Sequence, residues 1–219
     1  MAITRVEVTP KQGPGMRDVR GDVVRRQLTS DHSIVVPEVR SIVGFLIKSN
    51  IDADSISARV EDLFADPIIE DAATNSLILS SEHHFPPPPD ATITVGFKAG
   101  VTDNPGSAAL DGFRTIFPEA GDDSISTYIT YAFFGLPEGI DVEWLAGTLH
   151  NNLIERALTA DREACAAGQW PAIEYTEKPP QVFGAPAHVD MEISDEALIE
   201  LSETGLLALN LEEMQTIQA

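Results

Sequence analysis

The chain is short of the groups that carry the commonest site chemistries. It has one cysteine, Cys165, in 219 residues, which excludes an internal disulfide and any zinc site built from several cysteines. No apolar run approaches the roughly 18 residues of a membrane-spanning helix, and the opening MAITRVEVTP lacks the apolar core of a secretory signal. Basic residues are scarce. Fourteen Lys and Arg against 35 Asp and Glu give a formal net charge of −21, which repels a phosphate backbone. The stacking aromatics of an RNA-binding sheet are missing as well. These absences point to a cytoplasmic protein that engages neither nucleic acid nor membrane.

Motifs of catalysis are equally sparse. No glycine loop is followed by Lys and then Ser or Thr, and neither a GxSxG elbow nor a Rossmann fingerprint occurs. The histidines, His32, His83, His84, His150 and His188, form no i, i+4 pair of a zinc helix. Ser81-Glu82-His83-His84 sits beside a run of prolines, with no scaffold to orient it. Cys165, among alanines, reads as packing. Trp144 and Trp170 read as core or interface anchors. No catalytic, cofactor-binding or metal-binding residue is assigned from the residues themselves.

Hydrophobic residues still make up 43% of the chain, enough for a folded core. What organises them is repetition. A strand at Thr4–Thr9 precedes the loop PKQGPG, a helix at Arg17–Leu28 with the stripe Val19, Val23, Val24 and Leu28, and a β-rich stretch at Val35–Ile47. A helix at Asp54–Phe64 follows, carrying Ile56, Val60, Leu63 and Phe64, and an extended piece begins near Ile68. The same order restarts at Ala91: the strand ATITVGF, the loop KAGVT, a helix from Asp103 carrying Ala108, Ala109, Leu110 and Phe113, the strand SISTYITYAFFG, and a helix at Val142–Leu149. Landmarks recur 85 residues apart: Asp18 and Asp103, Gly21 and Gly106, Val24 and Ala109, Leu28 and Phe113, Val60 and Leu145, Phe64 and Leu149. The first strands need an offset nearer 89. Shared order at near-constant spacing argues an internal duplication.

Asp18 and Asp103 stand where a carboxylate caps a helix and offsets its dipole. Pro105 suits a first turn. Gly21 and Gly106, three residues on, allow close packing. A structural helix start and a phosphate-binding start are both compatible with this pattern. Arg17, Arg20, Arg25 and Arg26 fall within ten residues, either as a solvated helix face or as a docking surface for an acidic partner or phosphate. The tail from Val189 to Ala219 has eight acids and no Lys or Arg. It reads as two short helices, the first capped by Ser194 and stopped at Gly205, the second opened by an Asn210–Glu213 capping box.

Together these features resemble the PurS family and the N-terminal region of PurL, parts of phosphoribosylformylglycinamidine synthase. The carriers are the strand followed by an Asp-x-x-Gly helix start in each copy, VGFKAGVTDNPGSAAL, and the tail ISDEALIELSETGLLALNLEEMQTIQ. The resemblance implies an α+β fold: two tandem PurS-like units of ferredoxin-like βαββα type, forming a pseudo-dimer with helices packed on antiparallel sheet, plus a short C-terminal helical linker. The expected boundaries are 1–80 for the first unit, 81–90 for a Pro-rich linker, 91–170 for the second unit, and 171–219 for an extended segment and acidic helical tail. It implies a non-catalytic assembly role in purine biosynthesis, as a separate subunit or as a segment of a longer chain. The implied partners are a PurL-type synthetase and a PurQ-type glutaminase. ATP and magnesium are expected on a partner or on a catalytic part, with none bound by this chain. The alternative is a ferredoxin-like regulatory protein binding a small ligand at the seam between the two units.

Overall fold

A computed structural model describes residues 1–80, 87–175, 189, 191–205 and 207–218. Two compact units are present, Met1–Pro179 and Pro180–Ala219. The first is α+β and contains one six-stranded antiparallel sheet. Its elements in the first half are β1 (Ala2–Pro10), α1 (Val19–His32), β2 (Glu38–Ser49), α2 (Ala53–Ser57), α3 (Val60–Leu63) and β3 (Glu70–Thr74), followed by a 3-10 turn at Ile78–Ser80. The second half supplies β4 (Ala91–Phe97), α4 (Asn104–Ile116), β5 (Ser124–Phe134), α5 (Val142–Leu149), β6 (Glu155–Ala160) and α6 (Arg162–Ala166).

Strand order is β3-β1-β2-β5-β4-β6. Each half therefore runs strand, helix, strand, helix, strand, which corrects the expected βαββα order. The reason is in the sheet. β3 pairs antiparallel with β1, as β2 does, so β2 and β3 are parallel with one strand between them. Parallel strands need a crossover, commonly a helix. α2 and α3 provide it in the first half and α5 in the second. The single helix expected at Asp54–Phe64 is broken into two short pieces, because the serine-rich ADSIS turn has poor helix formers and the Arg59 amide closes onto the Ile56 carbonyl in a tighter turn.

The registers of the two halves match residue for residue. Val6 pairs with Phe45 and Thr74 as Ile93 pairs with Tyr131 and Thr159. The first strands thus correspond 87 residues apart, not 89, and the inner strands 86 apart. β2 and β5 join along eleven paired residues, with Val43 opposite Ile129 at the midpoint, where each residue faces its own counterpart.

The helical face of the sheet carries two apolar cores, and each draws on both halves. One core combines Val24 and Leu28 of α1 with Ile93 and Val95 of β4 and Leu145 of α5. The other combines Phe113 of α4 with Val6 and Val8 of β1 and Ile56 and Val60 of α2 and α3. The first helix of each half therefore shares its core with the other half's first strand. α1 buries Gly21, Val24 and Leu28, while Val19 and Val23, expected in the core, are 68% and 55% exposed. The helix is turned that way by its cap: Asp18 reaches across to Ser41 of β2, which fixes the Gly21 side against the sheet.

The second unit is the tail. α7 (Asp195–Thr204) is capped by the Ser194 hydroxyl, which accepts from the Ala197 amide. α8 (Leu211–Gln218) opens on the expected capping box: the Glu213 amide donates to the Asn210 side chain and the Asn210 amide donates to the Glu213 carboxylate, at 3.0 and 2.8 Å. Gly205 ends α7 in right-handed conformation, with φ −80°. Leu198 and Met214 are the buried apolar residues of these two helices.

Shared cores predict shared stability. Leu28→Ala and Phe113→Ala, at matching positions with 0% exposure, should each cost about 2–5 kcal/mol and lower one common transition of the sheet unit in chemical denaturation. A fragment of residues 1–80 should stay unfolded by far-ultraviolet circular dichroism. A folded fragment, or separate transitions for the two halves, would count against the shared-core arrangement.

Candidate functional site

Three polar arrangements stand out in the sheet unit. The first is a matched pair of buried helix caps. Asp103 accepts from the Gly106 amide at 2.7 Å, the Thr127 amide at 2.6 Å and the Thr127 hydroxyl at 2.9 Å. Asp18 accepts from the Gly21 amide at 2.7 Å, the Ser41 amide at 2.5 Å and the Ser41 hydroxyl at 2.8 Å. Each carboxylate thus ties a helix start to the inner strand of its own half. The glycines are required by contact. A Cβ on Gly21 would stand 2.0 Å from the Val39 carbonyl oxygen, and one on Gly106 would stand 2.6 Å from that of Ile125. The positive end of α4 is already occupied by the protein's own carboxylate, as is that of α1.

The second is a cluster on the opposite face of the sheet. The Tyr128 hydroxyl donates to Glu7 Oε1 at 2.6 Å, and the Ile78 amide donates to Oε2 at 2.6 Å. Arg5 donates to the Tyr128 oxygen at 2.7 Å and to the Ile173 carbonyl at 3.1 Å. Glu7 and Tyr128 are both 3% exposed. Desolvation raises the pKa of Glu7 above its usual 4.5, against the lowering effect of its two hydrogen bonds and of Arg5. Burial, together with the Glu7 carboxylate, raises that of Tyr128. The Tyr128 ring lies over Gly44, where an added Cβ would meet ring carbons at 2.0 Å. This cluster spans the two halves, and it pins the turn at Ile78 and the segment at Ile173 onto the sheet.

The third is a cleft of about 320 Å³ at the end of β4, under the loop KAGVT. Its wall includes Lys48 from β2 together with Lys98, Ser107, Ser124, Arg156 and Tyr175 from the second half. Lys98 bonds the Asn152 carbonyl, and Arg156 donates to the Glu174 carbonyl at 2.9 Å. The Ser124 and Tyr175 hydroxyls are 2.6 Å apart, and the Lys48 ammonium lies 5.7 Å from the centre of the Tyr175 ring. The carboxylates in the wall are Asp103, which is 3% exposed, and Glu174.

The other singled-out residues fall elsewhere. Arg17, Arg25 and Arg26 converge on Asp22, at 2.5, 3.5 and 3.9 Å. Asp22 is held below the usual carboxylate range first by the Arg17 hydrogen bond. Arg20 lies beside Asp18 and Val19 at the edge of a smaller cleft. Cys165 is 1% exposed and burial pushes its thiol up to about 11, so it is protonated at neutral pH. Trp144 is 47% exposed and meets His32 edge-on at 5.1 Å, while Trp170 is half-buried. The His150 ring donates to the Ala146 carbonyl at 2.6 Å. Ser81, Glu82, His83, His84 and His188 lie outside the described residues, as does most of the segment between 176 and 190. Among the described residues no group of three His, Cys, Asp or Glu is placed to hold a metal, and no helix is long and apolar enough to cross a membrane.

Sequence reasoning identified the caps and missed the other two arrangements. Glu7 sits between Val6 and Val8 and reads as the solvent side of an alternating strand. The turn at Ile78 and the Tyr128 side chain enclose it. Lys48 and Arg156 are isolated cations in the sequence, brought to one cleft by the β2–β5 and β4–β6 pairings. No family model matches the chain, and no curated protein matches it by sequence.

The buried carboxylate gives a signed pH dependence. The native-state pKa of Glu7 is raised, so the native state binds the proton more tightly than the unfolded chain. Its contribution is complete below pH 4.5 and falls as pH rises through the native value. Asp22 and Asp52, both lowered, act in the opposite sense. The comparison with Glu7→Gln cancels them. In urea denaturation, the stability of the unaltered chain relative to Glu7→Gln should decline on going from pH 4.5 toward neutrality. A difference independent of pH would contradict the burial of a titrating Glu7. Tyr128→Phe, which removes a donor from a buried carboxylate, should cost about 1–3 kcal/mol at neutral pH and less in acid.

Proposed function

We propose that the two halves of the sheet unit are tandem PurS-like modules forming a pseudo-dimer within one chain, and that the protein is a non-catalytic assembly element of phosphoribosylformylglycinamidine synthase. The observation that carries this reading is the matching of the halves. The strand order is the same on either side of the Val43–Ile129 pair, and Asp18 and Asp103 make the same three bonds. The tail ISDEALIELSETGLLALNLEEMQTIQ, which resembles the linker entering the PurL catalytic part, points the same way.

In this role the chain is a connector. Its partners are a PurL-type synthetase and a PurQ-type glutaminase, as subunits or as further parts of one polypeptide. ATP and magnesium are bound by the synthetase. The arginine-rich flank of α1, with Val19 and Val23 exposed beside Arg20 and Arg26, offers a surface for an acidic partner.

The test is association. The purified chain should co-elute with synthetase and glutaminase subunits from the same source and should restore glutamine-dependent amidine formation to them. Arg25→Glu with Arg26→Glu should weaken that association, more strongly at low ionic strength. Failure both to associate and to restore activity would rule the proposal out. Turnover by the chain alone would replace it with an enzymatic one.

A further inference from the structure

We infer that the cleft at the end of β4 binds the phosphate group of a small phosphorylated metabolite. The argument compares the cleft with its counterpart in the other half, and it stands whether or not the assembly role holds. A duplicated scaffold should place similar chemistry at matching positions where the residues only support the fold. That is what the supporting residues show. Lys98 bonds the Asn152 carbonyl and Lys11, its counterpart by register, bonds the Pro67 carbonyl. Asp103 and Asp18 match, as do Thr127 and Ser41.

The remaining wall does not match, and the differences sum to a more positive site in the second half. Where the cleft has Ser107, Ser124 and Arg156, the register places Asp22, Glu38 and Asp71 in the first half. Where the cleft has Lys48, the other half has Phe134. Against this, Ser126 replaces Arg40 and Leu110 replaces Arg25, two arginines already paired with Glu38 and Asp22. Three carboxylates have given way to two hydroxyls and a guanidinium, and one aromatic to an ammonium. In a chain of net charge −21, removing negative charge from one concave site creates a local sink for an anion.

The donor set suits phosphate better than a carboxylate. Guanidinium and ammonium groups line one volume, and a tetrahedral dianion can accept from them, while the Ser107 hydroxyl donates to the Asp103 carbonyl at 2.8 Å and the Ser124 hydroxyl pairs with that of Tyr175. The α4 amides are not needed, since Asp103 holds that end. A volume of about 320 Å³ fits a small organic phosphate and lies at the lower end of ligand pockets. Tyr175 and the Leu110 side of α4 supply apolar wall for the organic part.

The substitution that tests this restores the counterpart's charge. Ser107→Asp puts a carboxylate in the first turn of α4, where an acid is compatible with the helix, so thermal unfolding should be unchanged. Lys48→Gln removes a cation without altering the side-chain length greatly. The full chain and both variants are titrated by calorimetry with inorganic phosphate, glucose 6-phosphate and succinate at fixed ionic strength. The inference expects saturable binding of the two phosphates, weak or no binding of succinate, and a loss of about tenfold or more in affinity for each variant. Lys11→Gln, at the matching position of the other half, should leave binding intact. No saturable phosphate binding, equal binding of succinate, or affinity unchanged in both Ser107→Asp and Lys48→Gln would overturn it. Should Lys48→Gln lower the melting temperature, Ser107→Asp with an unchanged melting temperature decides alone.

Discussion

The rest of the structure depends on the antiparallel ladder between β2 and β5. It joins two three-stranded sheets edge to edge along eleven residue pairs and so removes two edges that would otherwise be open to another chain. It also makes β2 a central strand, with Leu46 and Ile47 on opposite faces and both essentially without solvent contact. Once the ladder is formed, each half's first helix lies within reach of the other half's first strand. The two cores are mixed because of this geometry. Each half's first helix starts on its own inner strand but completes its core with the other half's first strand, so the seam is part of the fold and not a contact between two finished domains.

The two faces of this sheet are treated differently. The helical face repeats: two capped helices, two glycines against carbonyl oxygens, and cores with matching residues. The opposite face does not. Tyr128 lies over Gly44 and bonds Glu7 and Arg5, whereas the residue matching Tyr128 is Ile42, packed with Ile78. The segments after β3 and β6 that cover this face, Ile78–Ser80 and the stretch through Ile173 and Tyr175, follow different paths. A scaffold that is symmetric where it must be stable is thus free to differ where it is covered. The cationic cleft lies at the boundary between the two regimes, with Lys48 from one half and the rest of its cations from the other.

Much of the local structure was legible in the sequence because its causes are local. A carboxylate before a helix, a glycine three residues on, a proline in the first turn and a capping box each act within one turn of chain. Asp18, Asp103, Pro105, Ser194 and the Asn210–Glu213 pair all do what their neighbourhood dictates. Elements that depend on remote partners were harder. Val19 and Val23 fit an apolar stripe as well as Val24 and Leu28 do, and nothing nearby says which pair faces the sheet. The Asp18–Ser41 bonds decide it, across 23 residues of chain. The strand offset of 87 could not be counted from a loop whose length differs between the halves.

By itself, then, the amino-acid sequence determined that there would be two similar α+β halves, where their helices would begin, how the acidic tail would be capped, and that the chain would carry a large negative charge. Those follow from short-range hydrogen bonding, periodicity and composition. Only the tertiary structure decided that the halves share one sheet and exchange helices between two cores, that Glu7 would be buried beneath Ile78, and that Lys48 and Arg156 would meet in one cleft. These are consequences of which strands lie side by side, and strand pairing joins residues that the chain keeps far apart.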